Sequence, residues 1–181
     1  LAAPPTAAGW IDSARGDVER TDIENLVTET AVAGVRRQGI DERNNQDFGV
    51  AYYFDEQRPQ AAESISSHAL YVDLIQTWRR TDDLIAPTRG YNVALQTGAG
   101  IPGASTRGFG RVVAQFAAWH PLARDLALSV RAEAGAVIAS TRNGIPSALL
   151  FRTGGDTTVR GYAFESLGVA QGDAVVPGRY Y

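Results

Sequence analysis

Phe48, Val50, Tyr52 and Phe54 alternate with Asp47, Gly49, Ala51 and Asp55, a period of two that belongs to a strand rather than a helix. The same rhythm recurs along the chain. Val27, Ala31, Ala33 and Val35 fall on one face, and Thr28, Thr30, Gly34 and Arg36 on the other, with Glu29 and Val32 breaking the rule. Leu70, Val72, Leu74 and Trp78 oppose Tyr71, Asp73, Thr77 and Arg79. Tyr91, Val93, Leu95, Thr97 and Ala99 oppose Asn92, Ala94, Gln96 and Gly98. Val112, Ala114, Phe116 and Ala118 oppose Arg111, Gln115 and Trp119. The longest series is Leu126, Leu128, Val130, Ala132, Ala134, Ala136 and Ile138, set against Ser129, Arg131, Glu133 and Gly135. Gly9 to Val18 alternates poorly and reads as a weak strand.

Polar and Pro/Gly-rich breaks separate these runs: Glu19 to Asp22, Gln38 to Asn45, Gln57 to Glu63, Thr81 to Gly90, Gly100 to Arg107 and Pro121 to Asp125. The pattern predicts about eight antiparallel strands at hairpin spacing, with no amphipathic helix between them to build parallel crossovers. The runs are long for a soluble sheet, whose strands average about five or six residues. They match the roughly 9–11 residues that a tilted strand needs to cross a bilayer. Tyr52, Phe54, Trp78 and Tyr91 mark the ends of the apolar faces, where interfacial girdles belong. Asp73, Gln96, Arg111, Gln115, Arg131 and Glu133 all fall on the polar side, and a water-filled lumen accommodates that much charge where a closed core does not. The expected fold is therefore all-β: a partial antiparallel transmembrane β-barrel occupying 1–181. The competing reading is a soluble β-sandwich binding module, since soluble antiparallel sheets also alternate apolar and polar faces.

Composition narrows the picture. The chain of 181 residues carries a net charge of -3, and its basic residues are all arginine without any basic block, so nothing points to nucleic acid. Cysteine is absent, which excludes disulfides and thiolate metal sites. No apolar run reaches the 18 residues of a membrane-spanning helix, a test that strands escape. Opening on Leu1 with no leader, the sequence reads as an internal or processed piece.

Four constellations invite chemistry. Gly98, Gly100 and Gly103 have dinucleotide-loop spacing, but Pro102 lies inside and a strand follows, so no helix N-terminus waits for a pyrophosphate. His68 and His120 lack partners at ligand spacing, and no metal or cofactor is expected. Ser66, His68 and Asp73 suggest a hydrolase triad, yet His68 and Asp73 are an odd number of residues apart and point to opposite faces, so no enzyme is expected. The Asp82-Asp83 pair reads as a solvated turn.

The remaining stretch is a long loop, 139–168, containing Gly154, Gly155, Asp156, Val159, Arg160, Gly161 and Tyr162. Its glycines permit close approach to a wall, and Arg160 offers a planar fork of donors to a carboxylate. The spacing alone equally fits a mobile surface loop with incidental arginines. This Gly-Gly-Asp then Val-Arg-Gly-Tyr sequence resembles the sixth extracellular loop of the outer-membrane barrel superfamily that includes BamA, TamA and the two-partner-secretion transporters. Asp82-Asp83 followed by Pro87, Thr88, Arg89, Gly90 and Tyr91 is similar to a periplasmic hairpin of its TamA-type branch.

That resemblance implies a bacterial outer-membrane location, outer-membrane client polypeptides, the lipid bilayer and an inner-membrane-anchored periplasmic protein as partners, and assembly or translocation without covalent chemistry. It also implies that Arg160 anchors the loop in the lumen against an acidic residue on a strand beyond Tyr181. The gate between first and last strands and the POTRA domains would then lie outside the sequence. A two-partner-secretion transporter or a passive pore shares the same barrel.

Overall fold

The computed structural model describes residues 1–23, 26–59, 63–123, 126–152, 168–171 and 174–180. Seven long strands form one antiparallel sheet in simple sequence order: β1 (Trp10–Ile23), β2 (Leu26–Gly39), β3 (Asn44–Pro59), β4 (Ile65–Thr81), β5 (Gly90–Gly100), β6 (Phe109–Ala123) and β7 (Leu126–Ile138). Two three-residue strands, β8 (Val169–Gln171) and β9 (Ala174–Val176), pair with each other apart from the main sheet. Each of the seven is 11 to 17 residues long, enough to cross a bilayer at a tilt.

The sheet is a meander that does not close on itself, and both edges carry the start of further pairing. Beside β1, Ala14 N–H donates to the Leu1 carbonyl at 2.8 Å and Ala3 N–H to the Asp12 carbonyl at 2.8 Å. Beside β7, Val137 N–H donates to the Arg179 carbonyl at 2.7 Å, and Ala136 bridges Tyr180.

Register fixes which face each residue occupies, because side chains opposite one another on neighbouring strands share a side. Gly34, Ala51, Tyr71, Gly100 and Phe109 are linked pairwise across five strands on one face, and Val35, Val50 and Val72 on the other. The second face is the apolar one, and it is open. Phe48, Val50, Tyr52, Phe54, Trp78, Tyr91, Phe116, Leu128 and Val130 lie on it, with Leu128 51% and Phe116 42% exposed. An exposed surface so apolar is stable only against a non-aqueous surrounding. The first face holds the core: Tyr53, Ala69, Tyr71, Phe109, Val113 and Val137, packed against loop residues Ile145, Leu149, Leu150 and Phe151.

Charge returns to the outer face in two rows. Arg37 grips Asp12 with two bonds of 2.7 Å at one end of β1 and β2. At the other end Arg20 pairs with Glu29 at 3.0 Å, and Arg58 with Glu29 and Glu56.

Several strands run into the expected breaks, as at Gln38, Asn45 and Gln57, and three boundaries differ further. Glu19 to Asp22 is not a turn but the last part of β1, because each residue finds a ladder partner between Thr30 and Val27 of β2. Pro121 to Ala123 continues β6, absorbed by a register shift between Pro121 and Ala123 that tolerates the missing proline donor. The weak strand at Gly9 to Val18 is a full 14-residue strand; its face is diluted by Ala14 and Gly16, which blunts the alternation.

Candidate functional site

Just past β7 the chain turns inward. Gly144 adopts a φ of 84°, and a single 3₁₀ turn, Ser147–Leu149, settles on the inner face of the sheet. The contacts that hold it come from strands far apart in sequence.

Asp55 of β3 is 0% exposed, and four donors surround its carboxylate. The Ser147 hydroxyl donates at 2.5 Å and the Ser147 N–H at 3.2 Å; Thr30 Oγ1 donates at 2.8 Å and Gln57 Nε2 at 2.9 Å. A carboxylate buried without such donors costs several kcal/mol, roughly, so its position is tied to the loop's.

A second set of bonds runs across the wall. Arg36 of β2 gives Asp73 of β4 two bonds of 2.9 Å, and Gln96 of β5 donates to the same carboxylate at 3.2 Å. Arg111 of β6 donates to Gln96 Oε1 at 2.8 Å and to the Leu149 carbonyl at 3.1 Å, with its guanidinium 4.9 Å from the Phe151 ring centre. The chain of bonds thus reaches from β2 to the loop. Arg107 adds a third hold, donating to the Asn143 carbonyl at 2.7 Å and to Ser140 Oγ at 3.0 Å.

Glycine makes the wall receptive. A Cβ at Gly135 would sit 2.6 Å from Phe151 Cζ, and one at Gly98 would sit 2.1 Å from the Tyr71 hydroxyl. The return of the loop is anchored too: Phe151 and Gly178 exchange backbone bonds of 2.9 and 2.7 Å, and Val176 of β9 is buried with Leu26 of β2.

Burial on the inner face is therefore lopsided. Tyr53, Asp55, Tyr71, Phe109 and Val137 are buried at the loop end, whereas Gln115, Arg131 and Glu133 are exposed toward the other. Long loops on outer-membrane barrels face outward and short turns face the periplasm, so the covered end is the extracellular one.

At the opposite end lies the turn bearing Pro87, Thr88, Arg89 and Gly90. Asp82 accepts bonds from the N–H groups of Asp83, Thr88 and Arg89 at 3.0 to 3.1 Å and from the Thr88 hydroxyl at 2.6 Å. Asp83 accepts from Ile85 and Ala86 at 2.7 and 2.8 Å. These donors hold both carboxyls below the usual carboxylate range. Gly90 closes the turn at a φ of 116°, where a Cβ would lie 2.0 Å from the Arg80 carbonyl oxygen.

The motif Gly154, Gly155, Asp156, Val159, Arg160, Gly161 and Tyr162 falls outside the described residues. Ser66 and His68 face outward and Asp73 inward, so the triad residues are not brought together. The Gly98 to Gly103 segment is the end of β5 and a hairpin loop. Among the described residues no group of three or more His, Asp or Glu is placed to hold a metal. Sequence reasoning missed Ser147 and Phe151 as the loop's own anchors; the signal available was Asp55, an inward-facing acid in the most regular strand.

An open meander with an apolar exterior, an ionic interior and a loop folded against its inner wall defines a transmembrane β-barrel sheet. The chain belongs to the Omp85 superfamily, whose domain pattern matches residues 17–180, and it is thereby a protein of the bacterial outer membrane. Its fold is similar to that of BamA from Haemophilus ducreyi lacking POTRA domains 1-3, with a TM-score of 0.77 and 18% identity over 97% of this chain. The chain spans 41% of the length of that shortened chain. No curated protein sequence matches it.

Proposed function

We propose that this sheet is the central part of a barrel that assembles or translocates other outer-membrane proteins, in the manner of the TamA-type branch, without covalent chemistry. Residues 1–181 form one barrel unit with 139–168 as its lumen loop. Client strands would pair with exposed edge N–H and C=O groups at the barrel seam, and the bilayer and an inner-membrane-anchored periplasmic protein would complete the machine. Arg160 anchors the distal half of the loop as Ser147 and Phe151 anchor the proximal half, with Gly154, Gly155 and Gly161 permitting close approach and Asp156, Val159 and Tyr162 shaping it.

The observation that carries this reading is the clamp on Asp55 and Arg111. A loop whose first part is held to the inner wall by two separate polar networks would obstruct the extracellular side of the lumen and leave a wet vestibule facing the periplasm. That arrangement suits a machine that works at its seam, and it disfavours a passive pore, which needs a through path; a two-partner-secretion transporter shares such a loop and is separated from the assembly reading by the client test below.

The test uses the full-length protein in cells depleted of the native copy. Arg160→Ala and Asp55→Ala should each reduce the folded, heat-modifiable fraction of outer-membrane clients while the variant itself remains in the membrane. Normal client folding in both variants, accompanied by a large steady conductance of the unaltered protein in planar bilayers, would replace assembly with the pore.

A further inference from the structure

On the outer face, next to the periplasmic ion pair of Asp12 and Arg37, lies a groove of about 680 Å³. Ala14 forms its floor, Val35, Phe48 and Val50 one wall, and Leu1 and Ala3 the other. Farther along the same face of β1, a Cβ at Gly16 would meet nothing within 4 Å, so the groove runs on from the ion pair toward mid-membrane. It is continuous with the apolar surface that already faces lipid. The strands beneath it are paired on both sides, β1 with β2 along its length and with Leu1 and Ala3 through the two 2.8 Å bonds. A polypeptide strand finds few free ladder groups there, whereas a hydrocarbon chain needs none.

The periplasmic end of the groove is ionic. Arg37 uses Nε and one Nη2 hydrogen on Asp12, which leaves Nη1 to donate, and each carboxylate oxygen keeps a second lone pair. The two side chains are 56% and 43% exposed, so both can take a further partner. Trp10, two residues from Asp12 on the same face and 6.1 Å from the Phe48 ring, marks this level as the headgroup layer, where aromatic anchors sit. A headgroup that satisfies both members of the pair carries a phosphate for the guanidinium and a hydrogen-bonding ammonium for the carboxylate. A purely anionic headgroup is repelled by Asp12, and a quaternary ammonium has no N–H to donate.

We infer that this groove is a binding site for one phospholipid with a primary-ammonium headgroup, of the phosphatidylethanolamine class. One acyl chain lies along Ala14 between the two walls, the phosphate accepts from Arg37, and the ammonium donates to Asp12. The inference goes beyond client assembly and rests only on the lipid-facing position of the outer face.

The test uses the full-length protein in phosphatidylcholine vesicles, with a bimane label on a single cysteine. The label sits at Ala33→Cys, beside the groove on β2, or at Ala132→Cys on the outer face of β7 as a reference. Phosphatidylethanolamine, phosphatidylcholine or phosphatidylglycerol, each with a nitroxide on its acyl chain, is titrated in. At position 33 the ethanolamine lipid should quench at a several-fold lower mole fraction than the other two, and at position 132 all three should quench alike. Asp12→Asn and Arg37→Gln should each remove the preference at position 33. Ala14→Leu, which fills the groove and leaves the ion pair in place, should remove it as well. Unchanged quenching by the choline lipid shows that these variants are still folded in the bilayer. Equal quenching by the three lipids at position 33 would overturn the inference, as would the same preference at position 132 or one that survives Asp12→Asn. Matching preference for the glycerol lipid would overturn it in favour of a site for phosphate alone. If the label at 33 blocks the chain, Tyr52→Cys, its partner on β3, gives the same readout. Failure here leaves client assembly by Arg160 and Asp55 untouched, so the two proposals fail separately.

Discussion

Ser147 donates its hydroxyl to the buried carboxylate of Asp55 at 2.5 Å, across 92 residues of sequence. The bond ties the first turn of the long loop to the third strand of the sheet. Ser147→Ala removes that donor while the Ser147 N–H keeps its place. Leaving a buried charged acceptor short of a partner costs about 1–3 kcal/mol. The variant should show a lower unfolding midpoint in detergent and faster proteolytic cleavage between 140 and 152. Asp55→Ala should cost more, since it strands Thr30, Gln57 and Ser147 together.

Gly135 and Gly98 leave room for Phe151 and Tyr71. Gly135→Ala places a methyl 2.6 Å from the Phe151 ring and should lift the loop from the wall. Overpacking of this kind costs about 1–3 kcal/mol. Pairing it with Phe151→Leu should recover part of the loss. A double-mutant cycle that shows simple additivity would mean that the contact carries no energy.

The outer face makes a prediction of opposite character. Ala132 is exposed near the middle of β7 and opposite Phe116. Ala132→Arg should destabilise the folded barrel by about 2–4 kcal/mol in lipid, the cost of an arginine at mid-membrane. Arg131→Gln, one residue away on the wet face, should change stability little. Equal effects in a bilayer unfolding titration would deny the lipid assignment of this face.

The turn at Asp82 responds to acid. Its folded pKa is depressed by hydrogen bonds from the Thr88 hydroxyl and the Arg89 N–H, so the unfolded form binds protons more readily. Its stabilising effect is fully present above about pH 4, the ordinary carboxylate range, and is lost as pH falls from there through the lowered value. Amide exchange at Thr88 and Arg89 should therefore accelerate on acidification below that point, beyond the intrinsic pH trend. Asp82→Asn should exchange faster at neutral pH and lose the acid response.

Strand identity and facing were legible in the sequence because register obeys a period of two, and the ladder carries it from strand to strand. Phe48 to Asp55 shows both faces in eight residues, and the neighbours inherit its parity. Turn boundaries were less legible. Glu19 to Asp22 is polar on both faces because it emerges from the lipid, and polarity there reports depth in the membrane rather than chain reversal. The loop's anchors were hard to read for another reason: Asp55 stands out as an inward-facing acid, but Ser147, its partner, is an ordinary loop residue whose meaning comes only from that contact. Arg111 and Asp73 were assigned to the inner face, but their joint link through Gln96 depends on three strands meeting in one register. The Arg160 motif was read from resemblance alone and lies outside the described residues.

The two charged rows on the outer face have a consequence for the surrounding lipid. Asp12 and Arg20 are eight residues apart on β1, so the rows are separated by about 26 Å along the strand and about 20 Å along the membrane normal. The outward apolar series from Leu126 to Ile138 on β7 covers about 30 Å by the same reckoning, matching an ordinary hydrocarbon core of about 30 Å. The protein is thus hydrophobically shorter on one flank than on the other. Acyl chains beside β1 and β2 must compress, tilt or recruit shorter neighbours, while those beside β7 pack undisturbed. A gradient of bilayer thickness around the circumference follows from the placement of six ionic side chains.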